Sequence, residues 1–291
     1  VGATLLEKAH AKINLTLRVL GRRADGYHEI ESLVAFADVA DTLTLQPDGE
    51  ETLEITGPFA GKCGAVADNL VLKALIAARG RIAGLKAGRF SLEKNIPVAA
   101  GLGGGSADAA AALRLIARAN KFALDDPGVS SAARAVGADV PVCLESRTRI
   151  MRGVGELLSR SIDLPPLPAV LVNPRVPLAT RDVFSKFAGA QSGRDLADVP
   201  QEFGSLIEFL KLHDNDLTPA ACACTPVVGE VLGALHASPG ARFARMSGSG
   251  PTCFALFASQ SEAATAAQRL RDERKNWWVQ SATIGSVSGK T

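Results

Sequence analysis

The stretch "IPVAAGLGGGSADAAAALR", residues 96–114, sets four glycines (Gly101, Gly103, Gly104 and Gly105) within five positions, directly ahead of an alanine-rich run. Ordering glycine loses more backbone freedom than ordering any other residue, so a cluster of it before strong helix formers needs a reason. A flexible linker is one. The other is chemical: main-chain N–H groups at a helix start, with no side chains in the way, can approach a phosphate closely. The helix is expected from Ser106 to Ala119, with Ser106 capping it or offering a hydroxyl. The loop alone leaves both readings open.

Upstream, "RFSLEKN" reads as a strand that delivers the chain to this loop, and Asn69 caps a helix over "NLVLKALIAAR". From Ala11 to Val19 the chain alternates strictly, which predicts a strand with one buried face and a polar face carrying Lys12, Asn14, Thr16 and Arg18. Asp25-Gly26 signals a turn, followed by an extended stretch through Val34 and Phe36 and further strands at 41–46 and 51–56. A helix is expected near 129–136, and "GADVPVCL" reads as a buried strand. The proline-rich stretch 163–180 marks a seam, giving two domains, 1–162 and 163–291. Beyond it, helices are expected near 201–212, 216–223, 226–237 and 260–274. Strands are expected at "ARFARM", "TCFALFA" and 277–284, with "SGSGP" between the first two. Without a regular βαβ rhythm, the class is α+β.

Composition narrows the function. The 291 residues are 47% hydrophobic and 21% charged with a net charge of +2, an ordinary globular balance that argues against nucleic acid or membrane as partner. No apolar run reaches the roughly eighteen residues of a membrane span, and the N-terminus has no leader-like pattern, so a cytoplasmic protein is expected. The five scattered cysteines read as buried reduced thiols, and the Trp277-Trp278 pair as packing. Two nucleotide motifs fail. The tail "GSVSGKT" lacks a glycine at Ile284 and has no helix after it, and a dinucleotide fingerprint from Gly101 and Gly103 would end on Ser106.

"AKINLTL", "GRRADGYHEIESL", "DNLVLKA", the glycine loop, "GADVPVCL", "GVGE" and "SGSGPTCFALF", in this order, resemble the GHMP kinase superfamily over nearly the whole chain. "ADGYHE" paired with "GLGGGSADAA" narrows the likeness to the branch acting on a cytidine-diphosphate-linked methylerythritol. The resemblance implies a ribosomal-protein-S5-like N-terminal ATP-binding domain and a ferredoxin-like α/β C-terminal domain. It also implies transfer of the ATP γ-phosphoryl group to the acceptor's 2-hydroxyl in non-mevalonate isoprenoid synthesis. Oligomeric state is expected to be monomer or weak homodimer.

By the same resemblance, Asp139 is the catalytic base and Lys12 its partner, residue types that suit deprotonation of an alcohol and neutralisation of phosphoryl charge. Asn14 would bond the acceptor, Tyr27 and Phe184 would sandwich the cytosine, and His28 would read its edge. Thr180, Ser247, Gly248, Ser249 and Gly250 would complete the acceptor side, and Val34 stands where some relatives carry an aromatic. Pro97, Gly101, Leu102, Gly103, Gly104, Gly105, Ser106 and Ala107 would wrap ATP, with Asn69, Leu70 and Lys94 near the adenosine. Magnesium is expected with the nucleotide, held by phosphates, water and Ser106. Two alternatives are another acceptor (homoserine, mevalonate or a sugar) and a relative that binds nucleotide without catalysis.

Overall fold

In the computed structural model the described residues are 3–189 and 196–287. The chain opens with β1 (Leu5–Asn14), β2 (Arg18–Arg22), β3 (His28–Gln46), β4 (Leu53–Thr56), α1 (Leu70–Arg79) and β5 (Arg89–Glu93). Next come α2 (Gly104–Asn120), α3 (Pro127–Val136), α4 (Val140–Glu145), β6 (Arg149–Gly153), β7 (Leu157–Leu158) and β8 (Leu167–Asn173). It closes with α5 (Thr180–Ser185), α6 (Phe203–Lys211), α7 (Thr218–Cys224), α8 (Val227–His236), β9 (Ala241–Met246), β10 (Cys253–Phe257), α9 (Gln260–Glu273) and β11 (Trp278–Gly285). Two compact units draw on separate stretches. One takes the chain up to Ala11, 40–98 and 103–146; the other takes 12–39, 99–102 and the chain from Arg147 onward.

In the first unit, the C-terminal end of β3 pairs antiparallel with β5, and β4 joins β5 in parallel. Leu43, Leu45, Phe90 and Leu92 turn to the core from these strands. The helices α1 to α4 pack on one another, and α2 buries Ala109 to Ala112, whose small side chains let neighbouring helices approach. Asn69 caps α1 by accepting the Val71 N–H at 2.9 Å, as its sequence position predicts.

The second unit is antiparallel throughout its main ladder: β11 lies between the N-terminal part of β3 and β8, and β10 between β8 and β9. β2 and β6 flank β3. Helix α9, closed by a Ser259–Glu262 capping box, covers the apolar face with Ala263, Ala267 and Leu270. Trp278 is buried and Arg274 lies over the Trp277 ring, so the pair is packing. No helix among the described residues is long and apolar enough to cross a membrane.

Several expectations need correction. "GADVPVCL" is not a strand: Val140–Glu145 is α4, because Pro141 fits a first helical turn and Val140, Val142, Cys143 and Leu144 bury against α2 and α3. The strand expected over 11–19 breaks after Asn14, where the Thr16 hydroxyl accepts the Leu33 N–H at 3.0 Å in place of a ladder partner. Its polar face is not solvated either, since Lys12, Asn14 and Thr16 are all buried. The stretches 34–36 and 41–46 form one long strand, β3. Ser106 does not cap α2; the helix starts earlier, after Gly103 in the left-handed region at φ 60°, with no side-chain cap. Of the thiols, Cys143 and Cys253 are buried, while Cys63, Cys222 and Cys224 are half-buried; all are free. The end of the Walker-like tail, 288–291, lies outside the described residues.

Candidate active site

The buried polar face of "AKINL" finds its partners inside the second unit. The Lys12 N–H donates to the Leu102 carbonyl at 2.8 Å. The Asn14 N–H donates to Ser247 Oγ at 3.1 Å, and that hydroxyl donates to the Gly101 carbonyl at 2.9 Å. Asn14 Nδ2 donates to Ser32 Oγ at 2.8 Å. Lys12, Asn14, Gly101, Leu102 and the "SGSG" loop therefore form one hydrogen-bonded patch. Its glycines are needed for contact. A Cβ on Gly101, at φ 73°, would lie 2.5 Å from the Ser247 carbonyl and 2.7 Å from that of Gly250. Gly248 faces back, with its Cβ position 3.1 Å from the Gly101 carbonyl. The Asn215 amide donates to the Met246 and Gly248 carbonyls, both at 2.8 Å, and fixes the loop from behind. At the start of α5, the Thr180 and Ser249 hydroxyls are 2.9 Å apart.

The ring that lies on Phe184 is not Tyr27 but His28. His28 stacks on Phe184 with centroids 4.6 Å apart and planes at 26°, and Phe187 meets His28 edge-on at 6.4 Å. Tyr27 is 66% exposed because it sits in the turn before β3, where its N–H donates to Asp25 Oδ1. His28 opens the strand and is turned inward. Burial, with Arg22 adding to it, holds the His28 imidazole below its ordinary pKa. Val34 is fully buried opposite Arg149 in the ladder.

In the first unit Leu70 and Lys94 lie beside the glycines at the start of α2. A Cβ on Gly105 would lie 3.3 Å from Leu70 Cδ1, which puts Asn69-Leu70 beside the loop's last glycine. Ser106 and Ala107 lie in the first turn, Ala107 donating its N–H to the Gly103 carbonyl at 2.8 Å, and Pro97 is buried. Lys94 is buried as well, its ammonium 2.5 Å from Asp41 Oδ2 and 2.8 Å from Asp108 Oδ2. Burial alone would lower the Lys94 pKa, but the two carboxylates overturn that and raise it. For Asp108, burial outweighs Lys94 and pushes the carboxyl up to about 7. Asp139 is half-buried immediately before α4, and its carbonyl accepts the Cys143 N–H at 3.4 Å. Arg114 of α2 donates to the Cys143 and Leu144 carbonyls, which ties α4 to α2.

Sequence reasoning passes over Asp41, Asp108, Ser32 and Asn215. Asp108 carries a signal, as a lone carboxylate in an alanine run of a helix bound for the core. Asp41 and Asn215 carry none. Among the described residues no group of three or more His, Cys, Asp or Glu is arranged to hold a metal ion. Ser106, in the first turn of α2, offers a hard hydroxyl oxygen of the kind magnesium takes alongside phosphate oxygens.

A family model described as the GHMP kinases N terminal domain matches residues 69–147, and one described as GHMP kinases C terminal matches 196–276. The chain is 52% identical to a 4-diphosphocytidyl-2-C-methyl-D-erythritol kinase of Bradyrhizobium diazoefficiens, covering 96% of this chain and 98% of that protein. It is 53% identical to one of Rhodopseudomonas palustris with the same coverages. A crystal structure of 4-(cytidine 5'-diphospho)-2C-methyl-D-erythritol kinase is 35% identical with a TM-score of 0.76, over 97% of this chain and 99% of that one. Homoserine kinase from Cytophaga hutchinsonii, at 21% identity and a TM-score of 0.71, over 98% of this chain and 96% of that one, shares the fold.

Proposed function

We propose, from the premise that this chain belongs to the GHMP kinase family, that it transfers the γ-phosphoryl group of ATP to the 2-hydroxyl of 4-(cytidine 5'-diphospho)-2-C-methyl-D-erythritol. This places it in the non-mevalonate route to isoprenoid precursors. The observation that carries the acceptor is the ring pair His28–Phe184, with Tyr27 exposed beside it. A nucleobase has a π-face to stack there, whereas homoserine, mevalonate and galactose carry no nucleobase.

The residues then take these roles. Main-chain N–H groups of Gly103 to Ser106, at the uncapped start of α2, receive the nucleotide phosphates, with Ala107 closing the same turn. Asn69 and Leu70, beside Gly105, border the adenosine. Asp139 takes the proton of the 2-hydroxyl as the new P–O bond forms, and Lys12 offsets the charge that builds on the phosphoryl oxygens. Asn14 and the Ser247–Gly250 loop, with Thr180, hold the acceptor, whose base is read by Tyr27, His28 and Phe184. Magnesium brought with ATP would neutralise phosphate charge, and the Ser106 hydroxyl would be its protein donor. The 1–162 and 163–291 division is kept as the two-domain reading, in a cytoplasmic monomer or weak dimer that binds no nucleic acid.

Release of ADP with the cytidine acceptor, measured against homoserine, mevalonate and galactose, tests the assignment. Turnover with the cytidine compound alone is expected; equal turnover with homoserine would reject it.

A further inference from the structure

The ammonium of Lys94 has both of its partners inside the protein. It bridges Asp41 on β3 and Asp108 on α2, and it is only 3% exposed. The second oxygen of Asp41 accepts the N–H groups of Asn95 at 2.5 Å and Ile96 at 2.8 Å, so one carboxylate fixes the ammonium and the backbone leading toward the glycine loop. The cluster lies against the first residue of α2: a Cβ on Gly104 would be 3.4 Å from Lys94 Nζ and 3.8 Å from Asp41 Oδ2. The second oxygen of Asp108 is buried without a hydrogen-bond partner, so the cluster is richer in acceptors than in donors.

From this geometry we infer that Lys94 is a positioning residue and not a nucleotide ligand: it cancels the negative charge of the buried Asp41–Asp108 pair, which would otherwise lie behind the phosphate-binding turn. The inference rests on the kinase reading, which places nucleotide phosphates at that turn. Charges that are buried and unpaired are expensive, and they act over longer range than in water. Without Lys94 the Asp41–Asp108 pair would keep a negative charge that nothing neutralises, which would loosen the turn and repel the phosphates it is to receive. A lysine that reached out to a nucleotide would strand that same pair, so the two roles exclude each other. The glycine at 104 fits this picture, because a side chain there would press on the ammonium.

The inference predicts a rescue that a direct ligand cannot show. Lys94→Met is expected to weaken MgATP binding at least ten-fold in calorimetric titration and to lower the melting temperature. Adding Asp41→Asn and Asp108→Asn removes the stranded charges while keeping an oxygen acceptor for the Asn95 and Ile96 N–H groups. The triple variant should then bind MgATP within about three-fold of wild type and recover its melting temperature. A triple variant that melts like wild type but binds as weakly as Lys94→Met overturns the inference, since Lys94 would then touch the nucleotide itself. Should the triple variant fail to fold, Lys94→Met with Asp41→Asn is read instead: affinity above that of Lys94→Met supports charge cancellation, and equal affinity rejects it. Wild-type protein that binds no MgATP would reject the kinase reading, and the melting temperatures would then decide the charge-cancelling role alone.

Discussion

The four glycines of the opening stretch do different work, and alanine substitution separates them. Gly101 has φ 73°, and a Cβ there would sit 2.5 Å from one carbonyl oxygen and 2.7 Å from another, both main-chain atoms of the "SGSG" loop. Forcing an L side chain into the left-handed region costs about 1–2 kcal/mol. Pushing two backbone segments apart adds about 1–3 kcal/mol, as overpacking does elsewhere. Gly101→Ala should therefore lose about 2–5 kcal/mol, a fall in melting temperature on the order of 5–15 °C for a domain of this size. Gly105 is the counter-case. Its Cβ position is 3.3 Å from the end of the Leu70 side chain, which can turn aside, and it lies inside a helix where alanine is the better former. Gly105→Ala should melt within a degree or two of wild type yet raise the KM for ATP about ten-fold or more, because a methyl group now stands between the main chain and the phosphate. Differential scanning fluorimetry and steady-state kinetics on both variants read the two effects. A stable Gly101→Ala beside an unstable Gly105→Ala would refute the division of roles.

Other consequences concern the acceptor and the proton. Asp139→Asn is expected to lower kcat by about 10²- to 10⁴-fold with little change in the melting temperature, and activity within ten-fold of wild type would remove it as the base. Tyr27→Ala and Phe184→Ala should each weaken binding of the cytidine acceptor by about 1–3 kcal/mol and leave ATP affinity unchanged, as equilibrium titration would show. Because burial and Arg22 hold the His28 pKa down, the imidazole is neutral at pH 7 and gains its proton only as the pH falls below about 6.5. Acceptor KM should rise through that fall while ATP KM stays level, and His28→Gln should abolish the rise. Persistence of the rise in that variant would mean another group is responsible.

Helices with a clear start are legible in the chain itself: Asn69 at the head of α1 and the "SQSE" opening of α9 announce their caps in side-chain chemistry. α4 is not, because valines at Val140 and Val142 imitate a buried strand over six residues, and periodicity cannot separate the two at that length. At the site, alternation correctly places Lys12 and Asn14 on one strand face but makes that face look solvated. Its burial comes from residues distant in the chain, Leu102 and, more than two hundred positions away, Ser247 among them, which no local pattern encodes. The Lys94 cluster is similar. Asp41, Lys94 and Asp108 come from separate elements, and only the folded unit makes them neighbours.

Helix α2 begins without a side-chain cap, because the residue before it is Gly103 at φ 60°. A capping side chain at such a position is ordinarily worth about 0.5–2 kcal/mol. The leading N–H groups of the helix are left uncommitted, and they are the groups a phosphate would take. Asparagine or aspartate at 103 tolerates this backbone conformation, and on relaxing to the extended backbone of a capping residue it would satisfy those donors from within. Thermal robustness and nucleotide affinity are thus opposed at a single residue. A screen for heat-resistant variants would find position 103 rewarding, and the survivors would be folded proteins with the anion site already filled by their own side chain.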